Sequence, residues 1–203
     1  MNFGLLRVLN DDVVSGGQGF GQHPHENMEI ISIPLSGDLK HEDSMGNKTV
    51  IREGEIQVMS AGTGIFHSEY NANKEQAVEF LQIWIFPRSQ DIPPRYDQTE
   101  LNDLHLANKL HQVLSPNPSD QGVWIHQDAW FHIGTFNEGI ETVYPIKKEG
   151  NGIYAFVLEG SFDINGQRLE KRDALGIWET LELSIHSQDL NSRLLLIDVP
   201  MAF

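Results

Sequence analysis

Ile31-Ser-Ile-Pro-Leu-Ser-Gly37-Asp-Leu39 and Tyr154-Ala-Phe-Val-Leu-Glu-Gly160-Ser-Phe162 read as two copies of one unit, in which an apolar strand runs into a glycine turn and a second strand begins. A fainter correspondence follows each copy at a comparable distance, Gly54-Glu-Ile56 against Arg172-Asp-Ala174. A repeat of this kind predicts two similar β domains. The surrounding sequence agrees. Met28–Leu35 is rich in β-branched residues, Glu55–Met59 alternates, and Val78–Phe86 is the strongest strand, closed by Pro87. Past the chain-breaking Asp91-Ile-Pro-Pro-Arg95, which reads as an inter-domain linker, strands are expected at 110–114, 123–127, 130–136, 153–158 and 193–199. No long segment holds a 3.6-residue apolar period; the best helix candidate is short, over Thr99–Asn108 with Thr99 as N-cap. Short strands with turns at this spacing suit jelly rolls or barrels, with one domain over 1–98 and another over 99–203.

Composition narrows the chemistry. The 203 residues carry 29 Asp and Glu against 14 Lys and Arg, a formal net charge of -15. Such a surface repels phosphate backbones and anionic headgroups, which argues against direct nucleic-acid or membrane binding. No segment reaches transmembrane length, and the N-terminus lacks a signal peptide's basic start and apolar stretch. The expected location is the cytoplasm. There are no cysteines, which removes disulfides, thiolate metal sites and cysteine nucleophiles together, so any metal must be held by imidazole and carboxylate.

Nine histidines are available, and two pairs have ligand spacing. In extended chain the side-chain period is two, so His23 and His25 project from one face, and His67 and Glu69 repeat the pattern with a carboxylate second. A strand carrying the second pair beside the first would make a three-histidine, one-carboxylate set. Nitrogen and oxygen donors of this kind suit Fe(II), Ni(II), Co(II), Cu(II), Mn(II) or Zn(II). Alternating histidines alone are as often polar surface. Glu29 shares the face of His25 and is the rival carboxylate.

The setting of these pairs resembles the two motifs of the cupin superfamily. Gly17, His23, His25 and Glu29 follow the first; the glycine turn Gly62-Thr-Gly64, His67 and Asn71 follow the second. The chain departs from that pattern at Gly37, one place late, and at Ser60, where proline is usual. Longer stretches resemble the pirin family within it: Leu6–Asp12, His23–Ile30, Asp43–Asn47, Met59–Tyr70 and Gln82–Ile85. The resemblance implies an all-β bicupin, two jelly-roll barrels packed together with a short helix between or beside them. Its N-terminal barrel would hold one metal, typically iron, through His23, His25, His67 and Glu69. It implies ring-cleaving dioxygenase activity on flavonols such as quercetin, with Glu69 as base, or else a metal- or redox-sensing regulatory role toward a protein partner. Pirins begin with a further segment, including a His-Gly-Trp motif and an aromatic strand, upstream of where Met1 aligns; an edge left unpaired there could be covered by a second subunit, giving an oligomer.

Carrying the repeat offset from His23 and His25 lands on Ile146 and Lys148, and His186 falls near the place of His67 without companions. No metal is expected in the second half. His126 and His132, around Trp130, read as packing beside an aromatic; His41, His105 and His111 read as surface. Phe80, Trp84 and Phe86 read as one core face, Ser15–Phe20 as a lip at the barrel mouth, and Phe20, Met28, Met59 and Phe66 as the lining of an apolar pocket.

Overall fold

The structure, a computed structural model, describes residues 2–202. Met1, where the family's upstream segment would join, lies outside the described residues. Every regular element described is a strand, so the all-β reading holds.

The chain divides into two compact units. The body of the first is Leu6–Leu101 with Asn117–Gln127. It contains β1 (Leu6–Val14), β2 (Gly19–His25), β3 (Glu29–Ser36), β4 (Leu39–Asp43), β5 (Lys48–Ile51), β6 (Glu55–Ser60), β7 (Ile65–Asn71), β8 (Val78–Ile85) and β9 (Arg95–Glu100). One sheet has the order β1-β8-β3-β6-β9 and the other β2-β7-β4-β5, all pairs antiparallel. The sheets face each other across two apolar clusters. Leu39, Ile51, Val78 and Phe80 form one, with Val14 packed on it; Ile30, Met59, Ala61 and Ile65 form the other, with Met28 and Trp84. Between these clusters the facing positions are polar, as the register of β3 on β8 requires: Ile30 lies opposite Trp84, Ser32 opposite Gln82 and Pro34 opposite Phe80. The polar pair is thus framed above and below by apolar ones. Pro34 cannot donate to the ladder, and the register slips there, between Pro34 and Ser36.

The second unit comprises Phe3–Leu5, Asn102–Pro116 and Asp128–Phe203, of which residues to 202 are described. Its first strand is β10 (Lys109–Ser115). The next, β11 (Val123–Trp124), counts with the first unit, where the Arg95 guanidinium lies 3.8 Å over the Trp124 ring. The rest are β12 (Trp130–Phe136), β13 (Glu141–Pro145), β14 (Asn151–Glu159), β15 (Phe162–Ile164), β16 (Gln167–Leu169), β17 (Ala174–Ile177), β18 (Glu182–Ser187) and β19 (Ser192–Pro200). Here the orders are β10-β12-β19-β14-β17 and β13-β18-β15-β16, enclosing one apolar core that includes Phe136, Phe162, Ile164, Leu183 and Leu196.

Both repeat correspondences have a structural basis. Gly37 and Gly160 each sit at the turn between paired copies, β3 to β4 and β14 to β15, with φ of 78° and 68°. Gly54 and Arg172 both take the left-handed conformation, φ 84° and 70°, just before β6 and β17, which pair with β3 and β14 respectively. The expected helix over Thr99–Asn108 is a correction. Thr99 lies inside β9, paired with Ile56, and the following residues form turns. Leu101 is buried while Leu106 is 47% exposed, so the segment has no continuous apolar face for a helix to bury. The Asp91–Pro94 break joins β8 to β9 within the first unit, with the Ile92 carbonyl accepting from Thr63 N at 3.0 Å.

Candidate metal centre

β2 and β7 pair with His23 opposite His67 and His25 opposite Ile65. Along β7 burial alternates, so Ile65, His67, Glu69 and Asn71 point inward while Phe66 and Tyr70 face out. Three imidazoles therefore converge. Ring centroids lie 4.4 Å apart for His23 and His67, 4.8 Å for His23 and His25, and 4.9 Å for His25 and His67. One nitrogen from each lies within 4.8 Å of the others. His23 Nδ1 lies 2.7 Å from the Gly21 carbonyl oxygen, which only accepts, so that nitrogen carries the proton and Nε2 is bare. That bare Nε2 is 3.0 Å from His67 Nε2. His25 Nε2 is buried with no hydrogen-bond partner. Ring nitrogens about 3 Å apart are what adjacent ligands on an ion need when each metal–nitrogen bond is about 2.0–2.1 Å. The donor set fits a transition metal.

Glu69 lies one inward step from His67. Its carboxylate accepts from Ser32 Oγ at 2.9 Å and from Gln82 Nε2. Gln82 is oriented in turn by Trp84, whose Nε1 donates to Gln82 Oε1 at 3.1 Å while its ring lies 4.9 Å from that of His25. Glu69 groups with His67 and His41, ligating atoms within 4.8 Å of one another, rather than in one set with His23 and His25. The rival carboxylate, Glu29, is fully buried, accepts from Ser60 Oγ at 2.7 Å, and has His126 Nδ1 3.2 Å away. It belongs to neither histidine group.

Burial sets the charge states. Desolvation, reinforced by the neighbouring imidazoles, pushes His67 down to about 3; desolvation and His23 push His25 down to about 4. Both rings are neutral at physiological pH and keep a lone pair for a cation. Glu69 is pushed up to about 7, chiefly by burial.

A cavity of about 400 Å³ opens beside His25, lined by Pro24, Glu26, Gly64, Ile65 and Phe66. Of the expected apolar lining only Phe66 borders it. Phe20 is exposed, and Met28 and Met59 pack into the interior cluster, because they face Ile30 and Ala61 rather than the opening. The expected lip at 15–20 is a turn at the other end of β2 from His25, with Gly17 N bonded to the Asn73 carbonyl.

Two histidines read as surface are buried. His41 shares the inward parity of Leu39 on β4, and His111 that of Val113 on β10. His105 is exposed, as expected. His126 and His132 do pack on aromatics, but on Trp124 and Tyr144. Sequence reading also passed over Ser32 and Gln82. The signal was there for Gln82, a polar residue of the same parity as Phe80 and Trp84 on a face read as core.

The match to known proteins spans both units. A family model described as Pirin matches residues 2–85, and one described as Quercetinase C-terminal cupin domain matches 112–199. A quercetin 2,3-dioxygenase of Escherichia coli K12 is 42% identical over 200 residues, covering 98% of this chain and 84% of that protein. A pirin-like protein of Caulobacter vibrioides is 36% identical, with the same two coverages. The crystal structure of the bacterial pirin YhhW from Escherichia coli in complex with nickel(II) superposes with a TM-score of 0.92 at 40% identity, covering 98% of this chain and 84% of that one. With strand order, converging imidazoles and near full-length similarity in agreement, the chain belongs to the pirin family of bicupins.

Proposed function

We propose that the chain holds one divalent transition metal through His23, His25, His67 and Glu69, and uses it to cleave flavonols such as quercetin with dioxygen. The observation that carries this reading is the convergence of three imidazoles whose facing nitrogens have no other partner. The relatives named as quercetin 2,3-dioxygenases and the nickel(II) complex of a relative support it. Iron is the metal the family resemblance favours; nitrogen and oxygen donors accept nickel as well. Such an ion supplies Lewis acidity toward an ionised hydroxyl and open positions for small ligands.

The protein's own groups do the rest. His23 is fixed in the tautomer that presents Nε2 by its bond to Gly21. Glu69, held by Ser32 and Gln82, takes the flavonol hydroxyl proton as general base. Phe66, Ile65 and Pro24 offer apolar contact to a flat ring entering beside His25. Flavonol and dioxygen together give the ring-opened ester and carbon monoxide. The test is to load purified protein with Fe(II) or Ni(II), add quercetin aerobically and follow loss of the flavonol absorbance. Turnover that disappears in His23→Ala is the expected result. Stoichiometric metal without turnover would favour a metal- or redox-sensing regulator acting through a protein partner.

A further inference from the structure

We propose that His41 is a positioning residue for His67: its bare Nδ1 accepts the proton on His67 Nδ1, while Asp43 anchors its other nitrogen. This rests on the metal reading above, since it concerns the nitrogen of His67 that faces away from the cluster.

Hydrogen-bond accounting leads to it. Asp43 and His41 have fully buried side chains, with His41 Nε2 3.1 Å from Asp43 Oδ2. The Asp43 carboxylate accepts from Met45 N, Asn47 N and Asn47 Nδ2 at 2.8–3.0 Å. These three donors keep it an acceptor, so His41 Nε2 carries a proton and donates. In a neutral ring Nδ1 is then bare, and it is buried with no partner. His67 presents the complement. Its Nε2 faces His23 Nε2; with that nitrogen given to a cation, its proton sits on Nδ1, also buried and without a partner. One orphaned acceptor and one orphaned donor thus lie on rings whose centroids are 5.4 Å apart, close enough for an N–H···N bond once either ring turns. The register holds them there: on β4 and β7, Asp43 is opposite His67 and His41 opposite Glu69. Left unmade, each of these buried groups has lost its water without gaining a partner. Ligating histidines commonly donate their second nitrogen to an acceptor that fixes ring orientation and raises basicity. His23 has Gly21 for this; for His67 the nearby candidate is His41.

The experiment uses full-length protein labelled with nitrogen-15 in histidine and loaded with Zn(II), which is diamagnetic. Long-range nitrogen–proton correlation should place the His41 proton on Nε2 and the His67 proton on Nδ1, with a scalar coupling between the two Nδ1 atoms. A proton on His41 Nδ1, or a coordination shift on any His41 nitrogen, overturns the proposal; the latter would make His41 a ligand. Zinc affinity by chelator competition gives a second readout. His41→Leu should weaken it about 10–100-fold, and His41→Asn, whose side-chain oxygen falls near the place of Nδ1, should restore most of the loss. Leucine binding zinc like the native chain, or asparagine failing alike with both folded, would equally sink the idea. Failure to bind zinc at all would instead bring down the metal reading, and this inference with it.

Discussion

At the scale of the residue, the interior of the first unit is governed by one buried carboxylate. Glu69 is 1% exposed, and burial holds its proton on to about pH 7, against an ordinary 4.5 in the unfolded chain. The folded state therefore binds more protons than the unfolded one between pH 4.5 and 7. The stabilisation is complete below 4.5 and is lost as pH rises through 7. In metal-free protein, Glu69→Gln should remove this dependence. The stability difference between variant and native chain should move in favour of the variant by about 2–4 kcal/mol between pH 4.5 and 8, as a carboxyl raised from 4.5 to about 7 implies. His25 and His67, depressed to about 4 and 3, act in the opposite sense, losing stability as pH falls below 6.5; being common to both proteins, they cancel in the difference. Urea titrations of both proteins at a series of pH values measure it, and parallel curves would refute the assignment of a buried, reluctant carboxylate. The convergence of His23, His25 and His67 was legible because His-x-His and His-x-Glu carry the strand period openly. His41 and Gln82 were not, because a lone polar residue betrays its burial only through the parity of apolar neighbours, Leu39 for one and Phe80 and Trp84 for the other.

At the scale of the element, the centre depends on how closely β2 lies against β7. Gly19 governs that approach: a Cβ there would stand 2.3 Å from the Glu69 carbonyl oxygen and 2.5 Å from Tyr70 Cα, both backbone atoms that cannot swing aside. Gly19→Ala should push the strands apart, cost about 1–3 kcal/mol of stability and lower metal affinity, although residue 19 touches none of the imidazoles' nitrogens. Thermal melts with and without Ni(II) separate the two effects. An unchanged nickel-induced shift would mean that the imidazoles do not depend on this strand spacing. Strands such as β3, β8 and β19 were readable from their apolar runs. β9, Arg-Tyr-Asp-Gln-Thr-Glu, was not: its polar side chains bond to those of β5 and β6, Tyr96 Oη with Thr49 Oγ1 at 2.6 Å and Gln98 Nε2 to Glu55 at 2.9 Å, so no apolar alternation marks it. The same polarity made Thr99 look like a helix cap.

At the scale of the molecule, two copies of one architecture have different interiors, and this predicts the metal stoichiometry. In the first unit Ser32, Gln82, Glu69 and His67 occupy inward positions between apolar clusters. In the second the core runs through Phe136, Ile153, Ala155, Phe162, Ile164 and Leu183. The repeat counterparts of His23 and His25 fare accordingly: Ile146 packs on that apolar core, and Lys148 pairs with Asp128. An ammonium group repels a cation and the Ile146 side chain offers it no donor, so each chain should take up one ion. Purified protein loaded with excess Ni(II), desalted and measured by elemental analysis should hold one nickel per chain, and His23→Ala should hold markedly less. Two separable substitutions sharpen this. Phe162→Ala, in the second unit, should cost about 3–5 kcal/mol yet leave the stoichiometry at one while the chain remains folded. His23→Ala should barely move the melting of metal-free protein but abolish the rise on adding nickel, a rise worth about 2.7 kcal/mol at a hundred times the dissociation constant. A second equivalent of nickel that survives His23→Ala would place an ion elsewhere and contradict the confinement of the centre to the first unit.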